Sequence, residues 1–344
     1  MEKRTIAVAM SGGVDSSVTA ALLKQAGHEV IGITMRLWDG PTGHIEDAAR
    51  VAAHLGIDHH VAELEPCFKA EVMDYFVAEY ARGRTPNPCA RCNKLLKFGA
   101  LLDKARSLGA DALATGHYAR IVTGSDGEPH LVMAVNRKKD QTYFLFSLSR
   151  ELMRSILFPL GEVEDKQRVR ELAAGFGLPV AAKDDSQDIC FIPGDDYIAF
   201  LQGAGISSAP GDFVLADGRV VGRHSGIHRY TVGQRRGMGI AWSEPLYVLS
   251  IDAAANRVVV GTETELYRDG FFISDCNWIV PPDSAPFPSS CRIRYRQLPV
   301  PCTVAVLSGG RAEVRFDKPE KGVTPGQVAV FYQGDEVLGG GWIE

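Results

Sequence analysis

Between residues 5 and 118, four short apolar runs rich in β-branched residues (6–10, 30–35, 59–64 and 112–115) alternate with four amphipathic helical stretches (15–26, 45–55, 66–80 and 94–108). Strands separated by helices of this length cannot pair as hairpins, so the pattern predicts a parallel sheet wrapped by helices on both faces. In such a sheet a ligand sits where the carboxyl ends of strands meet helix N-termini. Past about residue 201 the texture changes to short β-type runs broken by Gly and Pro, including Asp217-Gly218, Gly237-Met238-Gly239 and Thr324-Pro325-Gly326, and residues 280–288 hold four prolines. The expectation is therefore an α/β chain in three parts: a parallel-sheet domain over 1–200, a small central domain over 201–270, and a C-terminal β-barrel over 271–344.

The charged N-terminus leads into an apolar run too short for a signal-peptide core, and no later run approaches a membrane span. A cytoplasmic protein with no membrane partner is expected. Seven cysteines, an odd number in a chain of 344 residues, argue for reduced thiols rather than a disulfide framework. With a net charge of -5, any nucleic acid must be met by local basic patches. Residues 218–243 carry five arginines and two histidines without an acidic residue. A solvated arginine face would explain one such cluster; further clusters at Arg137-Lys138-Lys139 and at Arg292, Arg294 and Arg296 favour contacts along an RNA backbone.

The string Ser11-Gly12-Gly13-Val14-Asp15-Ser16-Ser17 joins the first strand to the first helix. Two glycines permit a tight turn in which several N–H groups and the helix N-terminus point at one anion. A Gly-Gly turn capped by Asp or Ser is also ordinary in strand-to-helix connections, but the whole string is more specific. It lacks the Gly-Lys-Ser/Thr ending of Walker-type loops, so no lysine of the motif itself reaches a terminal phosphate.

A second constellation is Thr85-Pro86-Asn87-Pro88-Cys89-Ala90-Arg91-Cys92-Asn93-Lys94, directly before a helical run. A thiol near a helix N-terminus and among Arg84, Arg91 and Lys94 is expected to have its thiolate favoured, which gives Cys92 the surroundings of a nucleophile. A zinc half-site would need a second Cys-x-x-Cys or Cys-x-x-His pair, which the chain lacks. A thioredoxin-like redox pair is disfavoured by the two preceding prolines. Cys190 lies where a polar loop from Lys183 runs into an apolar segment, and by itself reads most simply as an inert buried thiol.

The phosphate string resembles the PP-loop of ATP pyrophosphatases. That resemblance implies cleavage between the α and β phosphates of ATP, taken with Mg2+, and adenylation of a substrate. Nucleotide-lining residues would be Ala9, Met10, Ser11, Gly12, Gly13, Val14, Asp15, Ser16, Met35 and Gly116; Met35 read alone is plain core. Nearly end to end the chain is similar to the bacterial and organellar tRNA-specific 2-thiouridylases, the MnmA or TrmU family. The resemblance rests on the PP-loop, residues 85–98, 114–120, 139–145 (Lys139-Asp140-Gln141-Thr142-Tyr143-Phe144-Leu145), 184–192, 231–237 (Thr231-Val232-Gly233-Gln234-Arg235-Arg236-Gly237) and 292–295. It implies that Cys92 faces the target base and that Cys190 carries a persulfide. It implies further that His117, Lys139, Asp140, Gln141, Arg294, Tyr295 and Gln327 touch tRNA, with Asn87, Pro88 and Cys89 against an extruded base. Sulfur would come from a cysteine desulfurase or relay protein, and the chain would be monomeric apart from tRNA.

One departure stands out. The family commonly has Asp where this chain has Cys89, and Cys89, Cys92 and Cys190 could instead hold a [4Fe-4S] cluster with one open iron. Two rivals remain at this stage: a small-molecule PP-loop synthetase, which explains neither the cysteines nor the arginine-rich region, and a tRNA-binding module whose nucleotide loop only regulates affinity.

Overall fold

The structure is a computed structural model that describes residues 3–184, 189–192, 194, 196–206, 209–282 and 286–344. The expectation placed on residues 185–188 of the 184–192 string lies outside the described residues.

Seven strands come from the first half of the chain: β1 (Thr5–Ala9), β2 (Glu29–Arg36), β3 (Asp58–Glu63), β4 (Ala112–Thr115), β5 (Ala119–Thr123), β6 (Pro129–Met133) and β7 (Ile156–Leu157). Five of them form a parallel sheet in the order β3-β2-β1-β4-β7. Period-2 alternation divides its faces. Ile6, Val8, Val30 and Ala114 pack into one core with α1 (Val14–Gln25), α2 (Gly43–Leu55) and the Lys166–Gly175 helix, while Ala7, Ile33 and Leu113 pack into a second. That second core also takes in Phe98, Leu101 and Ala105 from the helical stretch after Pro88, and Val328, Val330 and Trp342 from the C-terminal region. The parallel sheet is thus fastened to the far end of the chain through apolar contact.

β8 (Gly211–Val214), β9 (Val220–His224), β10 (Tyr247–Asp252) and β11 (Arg257–Gly261) make a four-stranded sheet around Phe213, Tyr230, Val248, Val258 and Val260. β12 (Tyr267–Trp278), β13 (Phe287–Arg292), β14 (Val300–Leu307), β15 (Arg311–Lys321), β16 (Val328–Gln333) and β17 (Glu336–Ile343) run antiparallel in the order β12-β15-β14-β13-β16-β17. Pairing of Ile273 with Ile343 brings β12 against β17 and closes the barrel, which removes its edges. The β5–β6 hairpin leaves the parallel sheet and attaches to this barrel, Val132 opposite Glu336. Nothing local in residues 119–133 signals that destination.

The α/β class, the parallel sheet and the two later β-rich units agree with the sequence reading. Among the described residues no helix is long and apolar enough to cross a membrane.

Candidate functional site

β1 ends at Ala9, and the chain turns into α1 through Gly12, whose φ of +68° is left-handed, and Gly13 as N-cap. A Cβ on Gly12 would stand 2.2 Å from the His44 carbonyl oxygen, so the turn requires glycine on steric grounds as well. No side chain caps the α1 N-terminus. The hydroxyls of Ser16 and Ser17 both donate to the Gly13 carbonyl, and Ser16 Oγ accepts from Ser11 N–H at 3.1 Å, which fixes the turn from below. The amides at the head of the helix are left to an anion. Gly116, after β4, completes the cradle: a Cβ there would lie 2.9 Å from Ser16 N. Met10 is buried, and its sulfur covers Gly32; Met35 is half-buried against the second core. This turn, with its uncapped helix and close-fitting glycines, fits the triphosphate of ATP.

Although the motif has no lysine, the fold supplies two. Lys166 Nζ lies 2.7 Å from Asp15 Oδ1, which also accepts from Tyr118 Oη at 2.8 Å, and Lys183 Nζ donates to the Gly12 carbonyl at 3.1 Å and pairs with Asp47. Neither position is recognisable from its sequence neighbours.

The second set of groups is built on the helix that starts at Pro88–Cys92. Asn87 is its N-cap, its side chain accepting from Ala90 N at 3.1 Å, and Pro88 sits in the first turn, where a missing N–H costs nothing. From Asn93 to Ala100 the helix widens to a π-helical stretch, a form that recurs at functional sites. Cys92 is 8% exposed and belongs to an apolar cluster with Phe68, Phe76, Leu96, Phe191 and Ile192. The last two directly follow Cys190, and Ile189 before it packs on the same cluster, so the remote thiol is drawn to the first. Cys190 and Cys89 both keep solvent access. Each thiol is nevertheless crowded by protein: burial pushes Cys92 up to about 11 and Cys190 up to about 12, and raises Cys89. Cys190 is also raised by the charges of Cys92 and Cys89, which puts all three within electrostatic reach of one another.

This corrects the expectation of a ready thiolate at Cys92. The cations expected to stabilise it are engaged elsewhere: Arg91 with Glu71 and the Tyr75 ring, Lys94 with Asp275, Arg84 with Glu79 and the Ile343 carbonyl. The cation that acts on all three thiols is Lys97, five residues beyond Cys92. A wider π-helical turn brings residues five apart toward one face, and that signal is invisible to a 3.6-residue reading. Lys97 also acts on His117, the residue after Gly116, and so bridges the thiols and the phosphate turn. The apolar cluster around Cys92 reaches the turn by a second route, since its member Trp38 stacks on His44, 6.2 Å between ring centroids, and the His44 carbonyl abuts Gly12.

Residues expected to touch RNA divide into two groups. Arg294 is exposed and Tyr295 half-buried, its ring tilted against Phe144 at 4.5 Å and close enough to Cys89 to feel its charge; Lys139 is half-buried beside the exposed Arg137 and Lys138. Arg235 and Arg236 are exposed next to a cleft of about 400 Å³ that Trp242 also lines. Of the others, His117 and Asp140 are interior, and Gln141 and Gln327 are half-buried. His117 is 9% exposed, bonded through Nδ1 to Thr115 Oγ1 at 2.7 Å, and set between Phe98 and Phe158; burial holds its pKa well below the usual histidine value. The Asp140 carboxylate has no exposed surface and pairs with Arg292 at 2.8 Å. Gln141 accepts from Tyr118 N, and Gln327 donates to the carbonyls of Thr85 and Pro86, both at 3.0 Å. His224 and His228 are core residues of the central sheet and not part of a basic surface. Asp140, His117 and these two histidines are buried in this conformation, Asp140 against Arg292 of the barrel.

Among the described residues, no group of three or more His, Cys, Asp or Glu side chains is arranged to hold a metal ion. The three thiols, neighbours without a common centre, do not fit a [4Fe-4S] cluster.

A phosphate turn at the head of a parallel sheet, followed by a small four-stranded β unit and a closed β-barrel, defines a nucleotide-binding α/β protein of the HUP-domain class. The family profile described as "tRNA methyl transferase HUP domain" matches residues 4–194, "tRNA methyl transferase PRC-barrel domain" residues 198–262, and "Aminomethyltransferase beta-barrel domain" residues 268–343. The chain is 57% identical to the tRNA-specific 2-thiouridylase MnmA of Trichlorobacter lovleyi, over 98% of this chain and 97% of that protein. It is 56% identical to MnmA of Pelobacter propionicus, over 98% and 97%, and 53% identical to MnmA of Syntrophotalea carbinolica, over 99% of each chain. The chain belongs to the MnmA family of tRNA-specific 2-thiouridylases.

Proposed function

We propose that this chain is an ATP-dependent tRNA-uridine 2-sulfurtransferase that replaces the C2 oxygen of the wobble uridine with sulfur. ATP, as its magnesium complex, binds with its phosphates on the turn Ser11–Ser17. The uridine C2 oxygen attacks the α-phosphate, pyrophosphate leaves, and the oxygen departs later with AMP. The lysines at the turn, Lys166 and Lys183, are positioned to meet the charge that develops on pyrophosphate. A persulfide on Cys190 then attacks C2, AMP leaves, and Cys92 attacks the inner sulfur of Cys190, so that the carbon–sulfur product is released and a Cys92–Cys190 disulfide remains. Because burial keeps both thiols protonated at neutral pH, the step calls for loading of the outer sulfur, a stronger acid than a thiol, and for the Lys97 ammonium.

The observation that carries this reading is that the apolar cluster around Cys92 meets the phosphate turn, its Trp38 stacking on His44, whose carbonyl abuts Gly12, which supports one recess for nucleotide and sulfur chemistry. Tyr295 and Phe144 offer a stacking surface at its edge for a base taken out of its stack. We assign Asn87, Pro88 and Cys89 to the base, Lys139, Arg294 and Tyr295 to tRNA, and sulfur supply to a cysteine desulfurase or relay protein in the cytoplasm, the enzyme acting as a monomer. The test is pyrophosphate release and nucleoside mass analysis with purified enzyme, loaded with persulfide. Pyrophosphate should appear only when ATP and tRNA are both present, and C92S and C190S should each lose 2-thiouridine while retaining tRNA binding. Thiolation surviving in C190S, or pyrophosphate release independent of tRNA, would sink the mechanism.

A further inference from the structure

We propose that Cys89 is a relay thiol: it takes over the disulfide left by sulfur delivery, forming a Cys89–Cys92 bond and returning Cys190 to the free thiol that the next round requires. This rests on the reading just given, and it concerns what happens after the product has left.

Cys89 and Cys92 occupy positions i and i+3 of one helical turn, Pro88–Cys92. Side chains so spaced stand about 5–6 Å apart at Cβ, close to what a disulfide spans after a small adjustment. The prolines before the pair, which in the sequence count against a redox role, turn out to serve it. Pro88 occupies the first turn and Asn87 caps it, so Cys89 is held at the start of a well-formed helix.

The three cysteines differ in access: Cys89 and Cys190 are exposed residues, whereas Cys92 is buried. Cys92 is in an apolar cluster with Phe191 and Ile192, which follow Cys190. A disulfide between it and Cys190 would hold one of its sulfurs away from any external reductant and would block the position that must be reloaded with sulfur. Cys89 is exposed, stands one turn away, and lies within electrostatic reach of the other two thiols and of Lys97. Exchange balances without an outside oxidant: Cys89 loses its proton, its sulfur attacks Cys92 Sγ, the Cys92–Cys190 bond breaks, and Cys190 leaves as a thiolate that takes up a proton. A cellular or added dithiol then attacks the Cys89 sulfur, frees both cysteines of the pair and is itself oxidised to a disulfide.

The experiment uses the full chain with a persulfide-loaded Cys190, tRNA and ATP, and no reductant. After one turnover the reaction is quenched with N-ethylmaleimide, digested without reduction, and its disulfides and alkylated cysteines are mapped by mass spectrometry per mole of 2-thiouridine formed. The wild type should yield a Cys89–Cys92 disulfide with Cys190 alkylated, and unloaded enzyme handled identically should yield three alkylated thiols. In Cys89→Ser the bond recovered should be Cys92–Cys190, and the ratio of later turnovers to the first, at limiting dithiothreitol, should fall on the order of tenfold. Product accompanied only by a Cys92–Cys190 disulfide in the wild type, or an unchanged turnover ratio in C89S, overturns the relay while leaving sulfur transfer intact. Absence of 2-thiouridine in the wild type would instead remove the parent reading and the relay with it.

Discussion

Replacing Arg292 by Met should destabilise this protein more than any surface change, because it strands a buried charge. The Asp140 carboxylate is wholly enclosed; Oδ2 accepts from Arg292 Nη1 and from Thr142 Oγ1, both at 2.8 Å, and Oδ1 accepts from Ala134 N at 3.0 Å. The Arg292 side chain is 7% exposed, and its guanidinium lies 4.9 Å from the centroid of the Tyr332 ring. Arg292 ends β13 in the barrel, whereas Asp140 follows the β5–β6 hairpin, so the pair couples distant parts of the chain. Removing one partner of such a pair costs about 3–5 kcal/mol, far above the ~1 kcal/mol of an exposed pair. For 344 residues unfolding together at roughly 2.1 cal/mol/K per residue, about 4 kcal/mol lowers Tm by about 6 °C. Urea and thermal unfolding followed by tryptophan fluorescence would measure it. The double variant D140N/R292M, which removes the stranded charge, keeps an acceptor for Ala134 N and places an amide N–H that can donate to Thr142 Oγ1, should recover about 2 kcal/mol. A loss under ~1 kcal/mol in R292M, or no recovery in the double variant, would refute the argument.

Burial lowers the pKa of His117, so between its folded value and its ordinary value of 6.5 the unfolded chain binds a proton that the folded protein does not. Stability should therefore fall as pH drops below 6.5, by up to about 1.4 kcal/mol per pH unit from this group. His117→Phe should flatten that slope in urea titrations from pH 7 to 5, leaving the part due to His59, His224 and His228, which burial also lowers; an unchanged slope would contradict the assignment. Gly116→Ala puts a methyl 2.9 Å from Ser16 N, and calorimetry should find ATP affinity reduced on the order of tenfold with the fold retained; unaltered affinity would mean that the cradle does not hold the nucleotide. Gln327→Ala removes two bonds that tie the barrel to Thr85 and Pro86. It should cost about 1–2 kcal/mol of stability and slow thiolation more than it weakens ATP binding, since the Cys89 and Cys92 helix follows that segment; equal loss of both would point to a general structural effect.

The amino-acid sequence by itself determined the features that depend on short-range chemistry. A glycine turn between an apolar run and a helical one commits residues 5–25 to a strand, an anion cradle and a helix, because backbone sterics and unpaired helix amides are set within a few residues. Strand spacing likewise committed the first part of the chain to a parallel sheet. Candidate reactive cysteines could be named, but their electrostatic setting could not. Only tertiary structure decided that Lys97 faces the thiols while Arg84, Arg91 and Lys94 pair elsewhere, that Lys166 and Lys183 reach the phosphate turn, and that Asp140, Arg292 and His117 are interior. Charge effects fall off over a few ångströms and depend on which residues, more than a hundred positions away, complete the burial. A local pattern carries no record of those partners, and the fold that joins the β5–β6 hairpin to the barrel is what supplies them.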